Sequence, residues 1–456
     1  MATRAEVLDP SESIRLPGGV VELALLAYPV VLQQMSDTAM RVVDTAIVGH
    51  LGVTELGAVG FGGVWLWTLT CGFVGVATGV QTFVAQAFGA GHFRECGGWI
   101  WQALYALWPP ALLWIAALAL AFTPLLNMLG PSPELGAMAA RYVHASLFGA
   151  PAIVVAVVFT SFFRGIGDTR TPLIGAIVAN LLNAVLAVGL VFGRFGLPMW
   201  GVAGAGIATS ISNWSYAIMM LLAARRARTA RRYATAMVRP QLAAMWRFTR
   251  TGAPIGGQWV LEMISFALFS TIIARMGDTS MAASQAMIQL LSLSFMQAFG
   301  LSIATGALVG RYIGAKDLEA AERSHWSALK LGVAFALAVT VVFLAVPEVL
   351  LGLFSNDPEV LRLGRPLLAL GALFQLIDAV GIVASGSLRG AGDTRWPFMV
   401  QTALAWLVRL PVVYVLAVVL ERGVIGAWFG ELIFVTILSF VWIMRFRAGA
   451  WRSIRI

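Results

Sequence analysis

The chain has 456 residues, 59 % of them hydrophobic and 12 % charged, with a mean hydropathy of +0.84 and a formal net charge of +9. So few charges cannot cover a soluble surface of this size, so most of the chain must face lipid or other apolar helices. Intrinsic disorder, a collagen-like repeat and a secreted disulfide scaffold are excluded, and Cys71 and Cys96, in or beside apolar segments, give neither a zinc spacing nor a redox pair.

A helix needs about 20 apolar residues to cross a bilayer. Uncharged runs of that length or more recur along the chain, and turn residues and charges divide it into twelve predicted helices. They fall near 20–47, 55–87, 98–123, 136–162, 172–194, 201–224, 248–275, 280–310, 326–347, 362–387, 397–420 and 424–445. Only helices and closed barrels satisfy every backbone polar group in lipid, and these runs lack the short-period alternation of a barrel strand. The expected fold is an all-α integral membrane bundle.

With the N-terminus placed inside, the tails, the loops after even-numbered helices and the helix ends beside them hold 23 of the 31 basic residues. The opposite loops hold Arg141, Arg194, Arg275, Arg362, Arg365 and Arg422, while Arg41 and Arg409 lie within helices. This asymmetry predicts that both termini are cytoplasmic, in the inner (plasma) membrane. The cluster Arg225, Arg226, Arg228, Arg231, Arg232 and Arg239 then reads as a topogenic linker lying on an anionic leaflet, rather than as a nucleic-acid site. The segment ahead of Val20 mixes both signs of charge and lacks a signal peptide's basic region, so the first helix is expected to be retained.

The segment Phe163–Pro172 (FRGIGDTRTP) returns as Leu388–Pro397 (LRGAGDTRWP), so that position 163 recurs at 388. The same offset pairs Pro29 with Pro254, Gln33 with Gln258, Gly52 with Gly277, Gly89 with Gly314, and Asp37 with Glu262. Each repeat holds six helices, an even number, so the two lobes share one orientation and are related by an axis along the membrane normal. The expected divisions are a tail at 1–19, an N-lobe at 20–224, a basic linker at 225–246, a C-lobe at 247–446 and a tail at 447–456. Two pseudo-symmetric lobes around a central site suit alternating access. Arg164, Asp168 and Arg170, and likewise Arg389, Asp393 and Arg395, are expected to form local ion-pair and capping networks, structural or part of an inner gate.

An ionisable residue in a spanning helix is costly and by default marks function. Asp37, Arg41 and Asp44 are spaced four and three apart and share one helix face, either as an internally neutralised triad or as the polar lining of a cavity. Glu262 repeats Asp37, but Asp44 faces Phe269 and Asp378 faces Ile153 at the repeat offset, so each lobe has a second acid of its own. Glu262 and Asp378 have no base within a turn. Such a carboxylate takes up a proton, binds a cation or finds a distant arginine, for which Arg409, with Glu431, is the candidate. Pro29 and Pro254 interrupt their helices two to four turns before these acids and are candidate hinges. His50, His92, His144 and His325 form no metal-binding spacing, and no catalytic serine–histidine, paired-aspartate or zinc motif is present, so an enzyme is not expected.

The chain resembles the multidrug and toxic compound extrusion family over nearly its whole length. The resemblance is carried by Val43–Gly52 (VDTAIVGHLG), Ala85–Gly91 (AQAFGAG), Asp378–Gly390 (DAVGIVASGSLRG) and the two-lobe, twelve-helix plan. The first segment is similar to the DNA-damage-inducible branch, whereas Glu262 and Asp378 are similar to the branch named for norfloxacin efflux. The resemblance implies a multidrug antiporter that expels small organic, mostly cationic, compounds in exchange for H⁺ or Na⁺, with no cofactor, no obligate protein partner and membrane lipid around it. It places the family's acids on Asp44, Glu262 and Asp378, its helix-one proline on Pro29, a polar helix-five residue on Asn183 and a helix-eight glutamine on Gln285. Glu262 and Asp378 are the candidate Na⁺ ligands. The chain departs from the family at Ala187, where a polar residue is common, at Phe374, where sodium-coupled members carry Tyr, and at Arg41, a small residue in relatives. The alternatives are a lipid or lipid-precursor flippase of related plan and an exporter of an anionic metabolite.

Overall fold

The computed structural model describes residues 17–129, 132–354 and 357–454. Residues 1–16 of the expected N-terminal tail and 455–456 of the C-terminal tail lie outside them. Twelve helices follow in order among the described residues: α1 (Val20–Gly49), α2 (Val53–Thr78, resuming as Val80–Gly89), α3 (Phe93–Leu129) and α4 (Pro133–Leu147 with Ala150–Gly165). Then come α5 (Arg170–Phe192), α6 (Gly201–Arg225), α7 (Leu242–Ala274) and α8 (Asp278–Gly314). The last four are α9 (Leu318–Ala345), α10 (Pro358–Ala391), α11 (Arg395–Val419) and α12 (Gly423–Arg447). Ten of these are long and apolar enough to cross a bilayer, and the bent α4 makes an eleventh. The remaining helix, α1, has 30 residues, about 45 Å, and holds Glu22, Asp37, Arg41 and Asp44. The fold is therefore the all-helical, twelve-span membrane bundle expected.

Helix ends depart from expectation mainly where a polar first turn precedes the apolar run. α7 begins at Leu242, ahead of Arg247 and Arg250, and α9 begins at Leu318, capped by Asp317, whose Oδ1 accepts the Ala320 N–H at 3.0 Å. Hydropathy marks the lipid-embedded part of a helix, whereas caps and backbone bonds set its true ends. The fourth span is a pair of helices meeting at 46°. At the bend, Gly149 lies against the Ser210 backbone of α6, an approach that leaves no room for a side chain.

The repeat is written in the backbone as well as in the letters. In the two RGxGD turns, Asp168 N–H donates to Phe163 C=O at 2.9 Å and Asp393 N–H donates to Leu388 C=O at 2.9 Å. Gly167 and Gly392 adopt φ of 84° and 86°, a left-handed conformation that ends a helix and favours glycine. After α2 and α8 the pattern also repeats: His92 N–H bonds Ala87 C=O and Asp317 N–H bonds Tyr312 C=O, each at 2.9 Å.

The lobes meet through symmetry-related pairs, α1 on α8 and α2 on α7. Gly75 faces Gly256, and Val31 of α1 lies against Gly300 of α8. Nearer the chain termini, Gln81 Nε2 donates to Ile303 C=O (2.7 Å), Thr82 Oγ1 to Arg389 C=O (2.9 Å) and Gln86 Nε2 to Gly390 C=O (3.2 Å). Both termini are held at this end by α9, through Arg323 on the Pro17 carbonyl and through the Glu322–Arg452 pair. Among the described residues every cross-lobe hydrogen bond lies in this half of the bundle. The cross-lobe ring contact farthest from it is Trp67–Trp259, at 6.1 Å. Among the described residues no cross-lobe hydrogen bond or ring contact lies beyond that pair.

Candidate ion-coupling site

Polar side chains inside the N-lobe form two groups along α1. The first is centred on Gln33, which is buried: its amide nitrogen donates to the Tyr216 hydroxyl at 3.1 Å and its carbonyl accepts Arg164 Nη2 at 3.0 Å. Thr160 lies 2.9 Å from the same hydroxyl. One turn on, Asn180 Nδ2 of α5 donates to Asp37 Oδ1 at 3.2 Å and to Ser36 Oγ at 2.9 Å. Arg164 therefore reaches inward to Gln33, and not to Asp168 as expected from the local spacing. Asp168 does cap α5, its carboxylate accepting the Thr171 N–H at 3.0 Å and the Thr171 hydroxyl at 2.6 Å.

The second group holds Asp44. The packing of Ile47 beside Ala187 and Leu190, together with the Asp37–Asn180 bond, sets α1 and α5 in register and puts Asp44 level with Ala187, one turn beyond Asn183. Asn183 Nδ2 donates to Thr209 Oγ1 of α6 at 3.4 Å. Asp44 Oδ1 and Asn183 Oδ1 are buried and neither has a hydrogen-bond partner. Ala187 sits 1 % exposed among Leu190, Ala208 and Ile47, so the polar cluster ends at Asn183. Arg41 pairs with neither aspartate among the described residues: it is exposed, and its Nη2 donates to Thr38 Oγ1 at 2.9 Å. Neutralisation within the Asp37–Arg41–Asp44 triad is thus not what the fold displays.

The C-lobe repeats this layout with different chemistry. Gln258 Nε2 donates to Gln401 Oε1 at 3.1 Å, and Gln401 Nε2 of α11 donates to Glu262 Oε2 at 3.0 Å. An acid on α7 again takes an amide from the helix that repeats α5, displaced by one turn (Asn180 corresponds to position 405). Arg409 then enters, 1 % exposed: Nη1 donates to Glu262 Oε1 at 2.8 Å and to Ser265 Oγ at 3.1 Å, and Nε donates to Glu431 Oε2 at 2.7 Å. Asp378 of α10 is half-buried and makes no hydrogen bond or ion pair among the described residues. Phe374, one turn before it, packs its ring on Trp428 within the apolar core.

Of the residues expected in the site, Glu262, Arg409 and Glu431 are joined by hydrogen bonds, whereas Asp44, Asn183 and Asp378 bond to none of the others among the described residues. Gln285 joins neither group: it is exposed on the stripe of α8 that also carries Gln289 and, four turns on, meets α1 at Gly300. Pro29 and Pro254 both lie within unbroken helices, Pro29 buried. Asn180, Gln401, Ser265, Tyr216 and Thr209 were not anticipated. Their signal was a neutral polar side chain in an apolar helix, too common in membrane spans to single them out.

A family model described as MatE matches the chain twice, over residues 29–189 and 254–415, the two matches starting at Pro29 and Pro254. The chain belongs to the MatE family. It is 32 % identical over 436 residues to the multidrug resistance protein NorM of Burkholderia vietnamiensis, covering 94 % of this chain and 93 % of that one. To the multidrug resistance protein MdtK of Proteus mirabilis it is 30 % identical over 424 residues, covering 91 % and 92 %. Among solved structures, the eukaryotic MATE transporter AtDTX14 superposes with a TM-score of 0.84 at 19 % identity, covering 95 % of this chain and 96 % of that one. A multidrug resistance MATE family transporter in an outward-facing conformation superposes with a TM-score of 0.85, also at 19 % identity, over 98 % and 100 %. At that identity the likeness is one of fold. Like other MatE proteins this chain is a membrane transporter and not an enzyme.

Proposed function

We propose that this MatE protein exports small organic, mainly cationic, compounds from the cell by exchange for a cation, with H⁺ as the favoured coupling ion. The observation that carries the reading is a pair of carboxylates, one per lobe, without an ion-pair partner. Asp44 has a buried oxygen that no donor reaches, and Asp378 has no hydrogen bond among the described residues. A buried carboxylate in that state gains free energy by taking up a proton or a cation. Occupied by H⁺, it no longer attracts a cationic compound, so ion and substrate compete for the same charge.

Coupling follows from that competition if each ligand prefers a different arrangement of the lobes, because a ligand shifts an equilibrium only by its differential affinity. The basic loops support cytoplasmic termini. On that orientation the end held shut by the Gln81, Thr82 and Gln86 bonds is the inner one, and the opposite end, where no cross-lobe bond lies among the described residues, is the outer one. Ion entry at Asp44 and Asp378 would then release the substrate, and return of the lobes would present the acids inward. Pro29 and Pro254 lack the N–H that would hold the preceding turn, and serve as the points of bending. The N-lobe and C-lobe move as the units 20–224 and 247–446, joined by the basic linker.

The test is uptake of fluorescent organic cations into inside-out vesicles containing the protein, with a pH gradient or a Na⁺ gradient imposed separately. Uptake driven by the pH gradient is expected. Failure of both gradients over a broad panel of cations would reject the reading in favour of an anionic metabolite or a lipid as substrate.

A further inference from the structure

The Arg409 guanidinium lies between two of the C-lobe acids, Glu262 and Glu431. Its Nε and Nη1 atoms bond Glu431 and Glu262 at 2.7 and 2.8 Å, and Nη1 also reaches Ser265 at 3.1 Å. The rings of Phe269 and Phe434 lie 5.9 and 5.1 Å from its central carbon, and the side chain is 1 % exposed. The other oxygen of Glu262 accepts the Gln401 amide. Both Glu262 oxygens are thus engaged by N–H donors, and the positive charge nearest to them belongs to the protein itself.

The backbone is adapted to this placement. Arg409 ends a π-helical turn, Ala405–Arg409, and Pro411 follows two positions later. A π-turn carries one extra residue and re-aims the side chains beyond it, and such turns gather at functional positions. The repeat points the same way, because the positions equivalent to Arg409 and Glu431 in the N-lobe are Ala184 and Gly206. Acid and base are therefore a C-lobe addition as a pair.

We propose that Arg409 is a resident cation of the C-lobe, which occupies the Glu262–Glu431 carboxylates permanently and so excludes Na⁺ from them. Of the three C-lobe acids, Glu262 and Glu431 are bonded to Arg409, and Asp378, without a hydrogen bond among the described residues, is the one left to exchange an ion. A guanidinium is a planar donor fork matched to two carboxylates, keeps its charge at every physiological pH and cannot dissociate from the chain. A second cation at Glu262 would meet both engaged oxygens and a like charge within a few ångströms. This assignment rests on the reading of the chain as an ion-coupled transporter, but ion binding can be measured without transport.

The experiment is ²²Na⁺ binding to the purified full-length protein in detergent, at fixed ionic strength with choline replacing Na⁺, alongside thermal unfolding in the two salts. The wild-type protein is expected to show no saturable Na⁺ binding and the same unfolding temperature in both. The charge-balanced variant Arg409→Met/Glu431→Gln is expected to gain saturable binding of one Na⁺, lost again on adding Glu262→Gln. Saturable Na⁺ binding by the wild type that disappears in Glu262→Gln would overturn the proposal, as would a folded double variant that binds none. The wild-type measurement decides by itself should the double variant fail to fold. Absence of transport under either gradient, with this binding pattern intact, would count against the exporter reading alone.

Discussion

Gln86 and Arg311 occupy equivalent positions of the two repeats and do the same work on opposite sides of the lobe interface. The backbone of Arg311 packs directly on Gly89, and the backbone of Gln86 packs directly on Gly314, so each helix end is pressed against the repeat of its own glycine. Neither glycine has room for a single added carbon, since the atoms it would meet belong to the facing backbone and not to a side chain that can turn aside. This contact sets how closely the lobes approach at the end that bears the termini.

A side chain at either position should act as a wedge. Gly89→Val or Gly314→Val is expected to separate the lobes at this end and to lower transport at least ~10-fold, equivalent to about 1.4 kcal/mol. Because the two glycines are symmetry mates, the two variants should be similar. Spin labels at the exposed positions Arg94 and Lys316 should report a longer, broader distance distribution by pulsed electron resonance. An unchanged distance would show that the contact is not a stop.

The same end carries a smaller latch. Glu22 of α1 accepts the Tyr312 hydroxyl at 2.6 Å and the Gly18 N–H at 2.8 Å, while Arg311 stands 3.8 Å away. Tyr312→Phe removes two bonds across this end, the one it donates to Glu22 and the one it accepts from the Gly18 N–H at 3.1 Å, and should destabilise the closed end by at least about 1.5 kcal/mol, shifting the equilibrium roughly ten-fold or more. The Arg94–Lys316 distance measurement reads this as a second population, and Glu22→Gln should produce a weaker version of it.

The two unpaired carboxylates are expected to fail in different ways from the paired one. Asp44→Asn and Asp378→Asn should abolish gradient-driven efflux while leaving thermal stability within about 1 kcal/mol, because neither carboxylate has an ion-pair partner to strand. Glu262→Gln breaks one arm of the buried Arg409 network, and removing one partner of a buried ion pair costs about 3–5 kcal/mol. Its main effect should therefore be a lower unfolding temperature, with Glu431 still holding the guanidinium. Unfolding monitored by intrinsic fluorescence in detergent, beside the vesicle assay, separates the two kinds of loss.

The RGxGD turns offer a test of the repeat that does not involve transport. Gly167 and Gly392 share a left-handed φ, and placing alanine there costs roughly 1–2 kcal/mol. Gly167→Ala and Gly392→Ala should lower the unfolding temperature by similar amounts, and the double variant by their sum, since the turns lie in separate lobes. A large difference between the two would mean that one turn is held by something other than its backbone.

Much of the fold was legible because bilayer chemistry is local. Whether a stretch long enough to span lipid is apolar can be read without knowing its neighbours, and the single repeat offset fixed six helices per lobe before any contact was known. Helix ends at α7 and α9 were missed for the complementary reason: their first turns are polar and stand outside the apolar run, where capping and not hydropathy decides. The kinked fourth span was read as one helix because Gly149 marks a bend only through its contact with Ser210.

The carboxylates themselves could be found from the sequence, because an acid in an apolar helix is conspicuous by its cost in lipid. Their partners could not. Asp37, Arg41 and Asp44 share a helix face by spacing, yet the fold sends Asp37 to Asn180, leaves Arg41 on Thr38 and buries Asp44 without a donor. Arg164 and Asp168 are four positions apart, yet Arg164 bonds Gln33, 131 positions away, and Asp393 pairs with Arg445 of α12. A long side chain on a membrane helix chooses among groups on every helix it can touch, and only the packing of those helices says which are within reach. Composition, charge asymmetry and repeat determined the bundle, its two lobes and the acids. Tertiary structure alone decided that one of those acids is held by an arginine and that two stand free, because hydrogen bonds a few ångströms long join residues that the sequence keeps more than a hundred positions apart.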